Sequence, residues 1–371
     1  MKLINQGYIL DVEKLNNQKN VCMCTSIFRH STKRLFSSFR NGTTKESSDG
    51  NGVIAESENG TEWRILFSGF QTVFDGIQGE IKAVELSEKP DGNLFAFLSW
   101  FDRTKGSKLY NPSSDTILPA RIILVDSYDM GKTWENYRTI DIGDLQGPAL
   151  TGPVVKVPGG YLVFFEKYGP EQPSGPSLHA ACALFSKDGI IFDRIITVAR
   201  HPENKIFYWD QRNAYDVDSG KIISMFWTYD RENEKDIDIH IAYGNPDTLT
   251  WTVPQSTGIQ GQIAMPIPLT EGRLLCFYVH RHHPGSMRLV MSYDKGKTWD
   301  IANEMVIYEN QEIKEKGVSG ESSYAEYWED MGTWSFGHPC GIMLDENLGL
   351  LVYYAGRDVK KLSARYAIVS I

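Results

Sequence analysis

Short apolar runs, each about as long as one β-strand, recur along the whole chain and are separated by polar loops. Many of them alternate apolar and polar residues, the period-two pattern of a strand with one buried face. Six runs end in polar or aromatic residues: Leu35–Arg40, Leu94–Arg103, Tyr161–Tyr168, Lys221–Arg231, Arg273–Arg281 and Leu348–Arg357. A shorter run precedes each: Cys24–Phe28, Glu80–Leu86, Gly152–Val157, Gln211–Val217, Gln262–Leu269 and His338–Leu344. The pattern predicts six copies of one antiparallel unit.

A nearly identical turn sequence follows a predicted strand in two of these units. Residues 127–134 read Ser-Tyr-Asp-Met-Gly-Lys-Thr-Trp, and residues 292–299 read Ser-Tyr-Asp-Lys-Gly-Lys-Thr-Trp. Weaker copies occupy residues 57–63 and 186–192, and an expanded copy occupies residues 242–251. In such a turn the Asp or Asn side chain caps backbone N–H groups and the Gly takes a positive φ. Because the turn recurs at the same place in successive units, it favours one repeat fold over a tandem of immunoglobulin-like domains.

The two ends of the chain complete the predicted architecture. The sixth unit ends in the strand-like segment Ser363–Ile371 and lacks a fourth strand, while the strand-like segment Lys2–Leu10 belongs to no other unit. We expect the N-terminal strand to close the last sheet, which leaves no open sheet edge. The prediction is an all-β, six-bladed β-propeller that forms a single domain over residues 1–371.

Composition excludes several classes of partner. The chain has 38 Lys+Arg and 47 Asp+Glu, a net charge of −9 that argues against nucleic acid as a partner. It has no apolar run of the length that would span a membrane. The first residues, Met1–Gln6, lack a secretory apolar block, so we expect a cytoplasmic protein, or a secreted or periplasmic one if a leader was removed. The sequence indicates no oligomeric state.

The cysteines and histidines predict neither a disulfide framework nor a metal site. The five cysteines are odd in number and have no CxxC spacing, so we expect reduced, small apolar residues. In the segment His280–His283, strand alternation places His280 and His282 on one side, and two histidines alone do not favour zinc. A Gly-rich phosphate loop is also absent from the sequence, so we expect no metal and no cofactor.

The repeated turns and the six-unit count resemble the sialidase (neuraminidase) superfamily, in which such turns are called Asp-boxes or BNR repeats. The segment Leu35–Gly42, followed by Asp49 and the first weak turn, is similar to the first sialidase blade. This resemblance implies that Asp49 is the general acid. It also implies that Arg231 and Arg281 match the second and third of three arginines that bind the substrate carboxylate.

The sequence departs from this family at two positions. Residues 24–27 read Cys-Thr-Ser-Ile where the family has an Arg-Ile-Pro strand, so the first arginine is missing. His338 stands at the expected place of the nucleophilic tyrosine at the start of the last inner strand. These departures put sialic acid itself in doubt as the substrate.

In a propeller, one mouth of the central channel collects the starts of the inner strands and the ends of the second strands. Residues at these places are the candidates for chemistry. The predicted catalytic residues are Asp49, His338, Tyr324, Glu321, Glu80 and Asp210. Asp49 would be the general acid, and His338 or Tyr324 the base or nucleophile, with support from Glu321 or Glu326. Glu80 and Asp210 would act as base or hold a sugar hydroxyl.

Arginine forks suit sugar carboxylates, and aromatic rings suit sugar faces. The predicted substrate-binding residues are Arg40, Arg212, Arg231, Arg281, Arg357, Trp100, Tyr208, Trp227, Gln262 and His280. Together with the resemblance, they predict a sialidase-like, exo-acting glycoside hydrolase that cleaves a terminal glycosidic bond in an acidic or polar glycan. The alternatives are a polysaccharide lyase acting on uronic-acid glycans through His338 and a tyrosine, and a non-catalytic glycan-binding propeller, a lectin.

Overall fold

The structure is a computed structural model that describes residues 1–16, 18–106, 108–170, 177–310 and 323–371. Its main strands form six antiparallel sheets arranged as a six-bladed β-propeller, so the predicted all-β fold class is confirmed. First strands of adjacent sheets, such as Val21–Arg29 and Phe336–Met343, contact each other around the central axis. We call these first strands the inner strands.

Strand β1 (Lys2–Leu10) precedes the first blade. Blade 1 consists of β2 (Val21–Arg29), β3 (Leu35–Gly42), β4 (Asn51–Ser57) and β5 (Arg64–Ser68). Blade 2 and its connections contain β6 (Val73–Phe74), β7 (Ile77–Glu88), β8 (Leu94–Asp102), β9 (Tyr110–Asn111), β10 (Thr116–Ile117), β11 (Ala120–Ser127) and β12 (Glu135–Thr139), with β9 and β10 paired separately. Blade 3 contains β13 (Ala149–Leu150), β14 (Val155–Val157), β15 (Gly160–Pro170), β16 (Ser177–Ser186) and β17 (Arg194–Ala199).

Blade 4 contains β18 (Ile206–Asp216), β19 (Lys221–Asp230), β20 (Lys235–Asp236), β21 (His240–Asn245), β22 (Thr250–Trp251) and β23 (Gln255–Ser256). Blade 5 contains β24 (Ala264–Pro268), β25 (Leu274–His280), β26 (Gly285–Ser292) and β27 (Met305–Asn310). Blade 6 contains β28 (Phe336–Met343), β29 (Leu348–Ala355) and β30 (Ser363–Ser370). The helices are α1 (Tyr324–Met331) and three short 3₁₀ turns at Val12–Lys14, Thr270–Gly272 and Ile301–Asn303.

The N-terminal strand closes the ring as predicted. Strand β1 pairs antiparallel with β30, from Lys2 opposite Ser370 to Leu10 opposite Ala364, and the sheet order is β1-β30-β29-β28. The ends of the chain therefore share one sheet, and the edge of β30 is covered.

Second strands are buried on both faces because each blade packs between two neighbours. Every residue of β8 is buried, and its sequence is a nearly continuous apolar run. This is the pattern of a strand covered on both faces, in contrast to the alternation of a half-exposed strand.

The repeated turns are held by side-chain caps. Asp129 Oδ1 accepts hydrogen bonds from the backbone N–H groups of Lys132 and Thr133 at 3.0 and 2.9 Å, and Oδ2 accepts from Thr133 Oγ1 at 2.7 Å. Gly131 has a φ of +86°, and its carbonyl accepts a hydrogen bond from Trp134 Nε1 at 3.1 Å. Asp294 caps the turn at residues 292–299 in the same way, so the repeated sequence gives repeated geometry.

Helix α1 is the one α-helix in the described part of the chain. A capping box begins it: Ser323 Oγ accepts from the Glu326 N–H, and the Glu326 carboxylate accepts from the Ser323 N–H. Tyr324 and Tyr327 on its buried face pack against Trp209 of blade 4, with ring centroids 5.9 and 6.2 Å apart. Among the helices that the structure describes, none has the length and apolar character needed to cross a membrane.

Candidate active site

A cavity of about 570 Å³ lies where the six blades converge. Every blade contributes lining residues at or beside its inner strand, and helix α1 lines one side. The six inner-strand contributions are Cys24, Lys82, Thr151, Asp210, Ile263 and His338. The ring therefore gathers residues from positions 24 to 338 of the chain into one pocket.

Four inner strands carry an irregularity at the cavity, and three of these bulges share a backbone feature. The pairing register shifts between Met23 and Ser26 in blade 1, between Trp209 and Arg212 in blade 4, and between Gly337 and Cys340 in blade 6. The first residues of these three bulges are Cys24, Asp210 and His338, whose φ angles are +54°, +41° and +49°. Non-glycine residues rarely take positive φ, and such strained positions cluster at functional sites. The bulges turn all three side chains towards one another.

Cys24, Asp210 and His338 form a contact cluster. His338 Nε2 lies 3.5 Å from Asp210 Oδ2 and 3.8 Å from Cys24 Sγ. The Cys24 backbone N–H donates to His338 Nδ1 at 3.3 Å. Burial lowers the pKa of His338, but the neighbouring Cys24 and Asp210 outweigh it and raise this pKa to about 9. For the Cys24 thiol, burial acts to raise the pKa. The charge of His338 outweighs this effect and holds the pKa of the thiol below its usual value.

Two carboxyl groups beside this cluster have opposite pKa shifts. Glu166 Oε2 accepts a hydrogen bond from the Asp210 backbone N–H at 3.4 Å, and both side chains are about one-fifth exposed, at 20% and 19%. Burial, helped by the charge of Asp210, raises the pKa of Glu166 to about 8. Burial also acts to raise the pKa of Asp210, but Arg212, 3.2 Å away, and His338 hold it below its usual value. At neutral pH Glu166 is therefore protonated while Asp210 is ionised.

Two buried arginines line the cavity. Arg281 is 2% exposed; its Nε donates to Gln262 Oε1 at 3.0 Å and its Nη2 to the Phe336 carbonyl at 2.8 Å. Its Nη1 and the Nε of Arg212 are buried and have no hydrogen-bond partner among the described residues. The charges of the two guanidinium groups suit this part of the cavity to an anionic or strongly polar ligand.

Further charged groups line the same wall. Lys45 Nζ donates to the carbonyls of Met331 and Trp334 at 2.6 and 3.0 Å. Burial and the nearby charges of Arg281 and Lys82 lower the pKa of Lys45 to about 7. Glu85 is an acidic residue of the same lining, and burial raises its pKa to about 7. The pocket thus holds several groups that titrate near neutral pH.

Aromatic rings form the remaining wall. The tryptophans that line the cavity are Trp209, Trp227, Trp328 and Trp334. Trp209 and Trp227 lie edge to face with centroids 5.0 Å apart, and Trp227 Nε1 donates to Asp236 at 2.6 Å. Indole faces bind the apolar faces of sugar rings, so this wall suits a carbohydrate.

Five of the residues predicted from the sequence line this cavity: His338, Asp210, Arg212, Arg281 and Trp227. Gln262 is buried behind them and fixes Arg281 through its Oε1, while its Nε2 donates to Asp236 at 2.8 Å. Gln262 therefore contacts Arg281, which lines the cavity, and does not line the cavity itself.

Glu80 and Arg40 do not reach the cavity. The carboxylate of Glu80 is fully buried between the guanidinium groups of Arg40, at 2.9 Å, and Arg103. Arg40 also donates to the carbonyls of Thr44 and Ser47, both at 2.9 Å. These two residues hold the end of blade 1 against blade 2.

Asp49 also lies outside the cavity lining. Its carboxylate accepts hydrogen bonds from the Thr43 backbone N–H at 3.0 Å and from Thr43 Oγ1 at 2.6 Å. Although partial burial acts to raise its pKa, hydrogen bonds from Ser47 and Thr43 lower it to about 2. The expected general acid is thus an ionised carboxylate that caps a loop.

Tyr324 and Arg231 pack together behind the cavity wall. The guanidinium of Arg231 lies 3.7 Å from the centroid of the Tyr324 ring and 3.3 Å from Glu234. The Tyr324 hydroxyl shares a 2.7 Å hydrogen bond with the Tyr168 hydroxyl. Neither residue lines the cavity, and Glu321, the predicted support for Tyr324, lies outside the described residues.

Four more predicted binding residues lie elsewhere. Trp100 is buried and donates through Nε1 to the Thr72 carbonyl at 2.8 Å, and Tyr208 packs on Phe226 with centroids 5.4 Å apart. His280 packs beside His282 and does not line the cavity. Arg357 is exposed and lines a separate groove next to blades 5 and 6. Trp100, Tyr208 and His280 therefore pack against neighbouring residues, and Arg357 lies at the surface.

Several lining residues were not predicted as site residues: Cys24, Lys45, Lys82, Glu85, Glu166 and Trp328. The position of Glu166 near the end of a second strand was a usable signal. Cys24 stood at the place of the missing arginine, but it resembled an ordinary apolar cysteine. Lys45 and Trp328 reach the pocket from a loop and from α1, for which the strand pattern gives no signal.

The described residues contain no group of three or more His, Cys, Asp or Glu side chains arranged to hold a metal ion.

No protein-family model and no curated protein matches the sequence. Solved structures do match the fold. A Dyadobacter fermentans protein of unknown function has a TM-score of 0.72 at 16% identity, over 100% of this chain and 99% of that one. A Hadza microbial sialidase has a TM-score of 0.68 at 13% identity, over 99% of this chain and 68% of that one. The α-L-arabinanase of Penicillium chrysogenum, solved with arabinobiose, has a TM-score of 0.63 at 11% identity, over 100% and 99%.

The structural neighbours thus include sialidases and arabinanases, which are six-bladed glycoside hydrolases. At identities of 10–16% the similarity establishes the fold that they share with this chain, and the activity has to be argued from the site.

Proposed function

We propose that this protein is a glycoside hydrolase that removes a terminal sugar from an acidic or otherwise polar glycan. The observation that carries the proposal is the contact between Glu166 and Asp210 in one cavity lined by tryptophans, where burial raises the pKa of Glu166 to about 8 while Arg212 and His338 hold that of Asp210 below its usual value. A carboxyl group that keeps its proton can donate to a leaving-group oxygen, and an ionised one stabilises the positive charge that develops on the sugar ring.

In the proposed reaction Glu166 is the general acid. Its raised pKa keeps a proton available at neutral pH, and its one-fifth exposure leaves room for contact with a leaving-group oxygen. Asp210 is held between Arg212 and His338, and its negative charge stabilises the positive charge that develops on the sugar ring in the transition state.

Arg212 and Arg281 bind the polar or anionic part of the substrate. Each presents a buried nitrogen without a protein partner among the described residues, and both line the cavity. Guanidinium forks suit carboxylates because their planar donors match the two oxygens. Trp328, a partly exposed residue of the cavity lining, supplies an aromatic surface against which the sugar ring packs.

The cavity has the size of a small-ligand site. Its volume of about 570 Å³ falls within the range of about 300–1,000 Å³ that is usual for small-ligand pockets. Helix α1 contributes Ala325, Trp328, Glu329 and Met331 to its lining.

A polysaccharide lyase is the second candidate, and one contact favours it. His338 and Tyr354 lie side by side in the cavity, with ring centroids 5.4 Å apart, next to Arg281. A lyase acting on uronic acids needs a proton donor and a cation that neutralises the carboxylate, and His338, whose pKa is raised to about 9, and Arg281 have this chemistry.

Incubation with a panel of 4-methylumbelliferyl glycosides, which includes glycuronides and sialosides, and with polyuronates separates these functions. The proposal predicts release of methylumbelliferone from at least one glycoside. Formation of an unsaturated, ultraviolet-absorbing product would favour the lyase. Binding on a glycan array without either product would favour a lectin.

Replacing Arg281 with Lys tests the substrate class. Lysine keeps the charge but loses the planar fork, so KM for an anionic glycoside should rise by at least about tenfold while a neutral one is affected far less. Equal losses on both substrates would argue against an anion-binding role. Arg357→Lys, on the separate groove, is the matched control and should leave KM unchanged.

A further inference from the structure

Cys24 differs in its surroundings from the other four cysteines of the chain. Cys22, Cys182, Cys276 and Cys340 are buried, whereas Cys24 is partly exposed and lines the cavity. Burial raises the pKa of Cys22 and of Cys182 to about 12 in each case, and it also raises that of Cys276 well above its usual value. The thiolate is the reactive form of cysteine, so the fold keeps these thiols inert.

The geometry around Cys24 is that of an activated nucleophile. Its sulfur lies 3.8 Å from His338 Nε2, and the same nitrogen lies 3.5 Å from Asp210 Oδ2. Cys24 and Asp210 thus contact the same side of the His338 ring, and a neighbouring imidazolium favours the thiolate form of a cysteine. Asp210 in turn contacts Glu166 through its backbone N–H, so one chain of contacts joins the sulfur to the proposed general acid.

The backbone indicates that this arrangement is imposed by the fold. Cys24 and His338 lie on the inner strands of blades 1 and 6, and each occupies a bulge with positive φ. Such backbone strain persists only where the surrounding structure imposes it. Packing alone does not require a cysteine at a strained, partly exposed position.

Other candidate nucleophiles are less available. Asp210 has one oxygen 3.2 Å from Arg212 and the other 3.5 Å from His338, and a carboxylate shared by two cations is a weak nucleophile. Tyr327 donates its hydroxyl to Asp236 at 2.6 Å, and the Tyr324 hydroxyl is shared with Tyr168. Both tyrosines are outside the cavity lining.

We propose that Cys24 is the catalytic nucleophile and that the reaction passes through a covalent thioglycosyl enzyme. This inference rests on the proposed glycosidase function. The guanidinium groups of Arg212 and Arg281, both buried residues of the cavity lining, hold the polar part of the substrate while its anomeric carbon meets the sulfur.

The chemistry balances in two displacements. In the first, the thiolate electron pair forms a C–S bond to the anomeric carbon as the glycosidic C–O bond breaks, and the Glu166 proton passes to the leaving oxygen. In the second, water attacks the same carbon, its proton passes to the Glu166 carboxylate, and the C–S electron pair returns to Cys24. No oxidant or further reactant is needed, and the configuration at the anomeric carbon is retained.

Alkylation of the folded wild-type protein tests whether the Cys24 thiol is reactive, and it requires no substitution. Iodoacetate reacts with thiolates, and peptide mass spectrometry then reports the rate at each cysteine. We expect Cys24 to react at least about tenfold faster than Cys22, Cys182, Cys276 and Cys340. A rate at Cys24 no greater than at the other four would overturn the inference.

Substitution then tests the catalytic step on the best aryl glycoside of the panel. Cys24→Ala should lower kcat by about a thousandfold or more. The control is Cys22→Ala, which removes a buried thiol two residues away on the same strand and should retain wild-type kcat. Thermal unfolding of both variants verifies that they are folded.

The outcomes separate the two proposals. If the wild type hydrolyses a glycoside and Cys24→Ala does so at the same rate, Cys24 is not the nucleophile and the glycosidase proposal stands. If the wild type hydrolyses none of the glycosides, the proposed function is wrong, and the assignment of Cys24 as its nucleophile is wrong as well.

Discussion

At the scale of single residues, the chemistry of the cavity comes from contacts between groups that are far apart in sequence. Glu166 is protonated because it is buried beside the charge of Asp210, and Asp210 is ionised because Arg212 and His338 stabilise its charge. The same residue types at an exposed site would both be ionised at neutral pH. The assignment of acid and base therefore follows from position and not from residue type.

The pH dependence of kcat/KM tests the role of Glu166. A general acid acts in its protonated form, so activity should be present below its pKa and fall as the pH rises through about 8. Glu166→Gln should lower kcat/KM by about 10²–10⁴-fold with a poor leaving group and remove this alkaline limb. An unchanged limb in Glu166→Gln would contradict the assignment. Asp49→Asn, outside the cavity, is the control and should keep the wild-type profile.

Glu80 is predicted to contribute to stability instead of catalysis. It is buried between Arg40 and Arg103, so Glu80→Ala leaves two buried guanidinium groups without their carboxylate. Breaking a buried ion pair in this way costs about 3–5 kcal/mol, which urea unfolding would measure. Glu58→Ala, at an exposed turn, should change the free energy of unfolding by less than about 0.5 kcal/mol. An equally small change for Glu80→Ala would refute this structural role.

At the scale of elements, the strands and turns were predictable because their signals are local. The apolar runs gave the inner and second strands to within a few residues, as Leu94–Arg103 compared with β8 (Leu94–Asp102) illustrates. Local patterns do not reveal bulges, however. The register of β7 shifts between Ile81 and Ala83, so Glu80 enters an ion network while Lys82 lines the cavity. A bulge changes which side chains face the axis, and for this reason Glu80 was assigned to the site and Lys82 was not.

The repeated turns should contribute measurable stability. Asp129→Ala removes four hydrogen bonds within the turn at residues 127–134, including two from backbone N–H groups. Loss of such a cap costs about 1–2 kcal/mol, which a shift of the urea midpoint would report. Lys132→Ala, at an exposed position in the same turn, is the control. Equal stability of the two variants would show that the cap is dispensable.

At the scale of the whole molecule, ring closure determines the site. Residues from blades 1, 4 and 6 meet because β1 completes the last sheet, as the strand count predicted. The pocket itself was only partly predictable, because Lys45 and Trp328 come from a loop and a helix whose approach depends on the assembled ring. Asp210 and Arg212 were found because they lie on an inner strand, whereas Tyr324 was misplaced because nothing local shows that its hydroxyl meets Tyr168.

Deletion of residues 1–10 should open the ring. Strand β30 would then present an unpaired edge, which favours association between chains and weakens blade 6. We expect a lower melting temperature and larger species in size-exclusion chromatography. A truncated protein that remains equally stable and equally small would contradict the closure argument.

The most direct test of the central proposal is the dependence of Glu166→Gln on the leaving group. For the sugar that the panel identifies, hydrolysis of the 2,4-dinitrophenyl glycoside needs little proton donation, whereas the 4-methylumbelliferyl glycoside needs more. If Glu166 is the general acid of a glycoside hydrolase, the variant should lose far more kcat/KM on the methylumbelliferyl substrate than on the dinitrophenyl one. The same loss on both substrates, or no loss on either, would contradict the proposal.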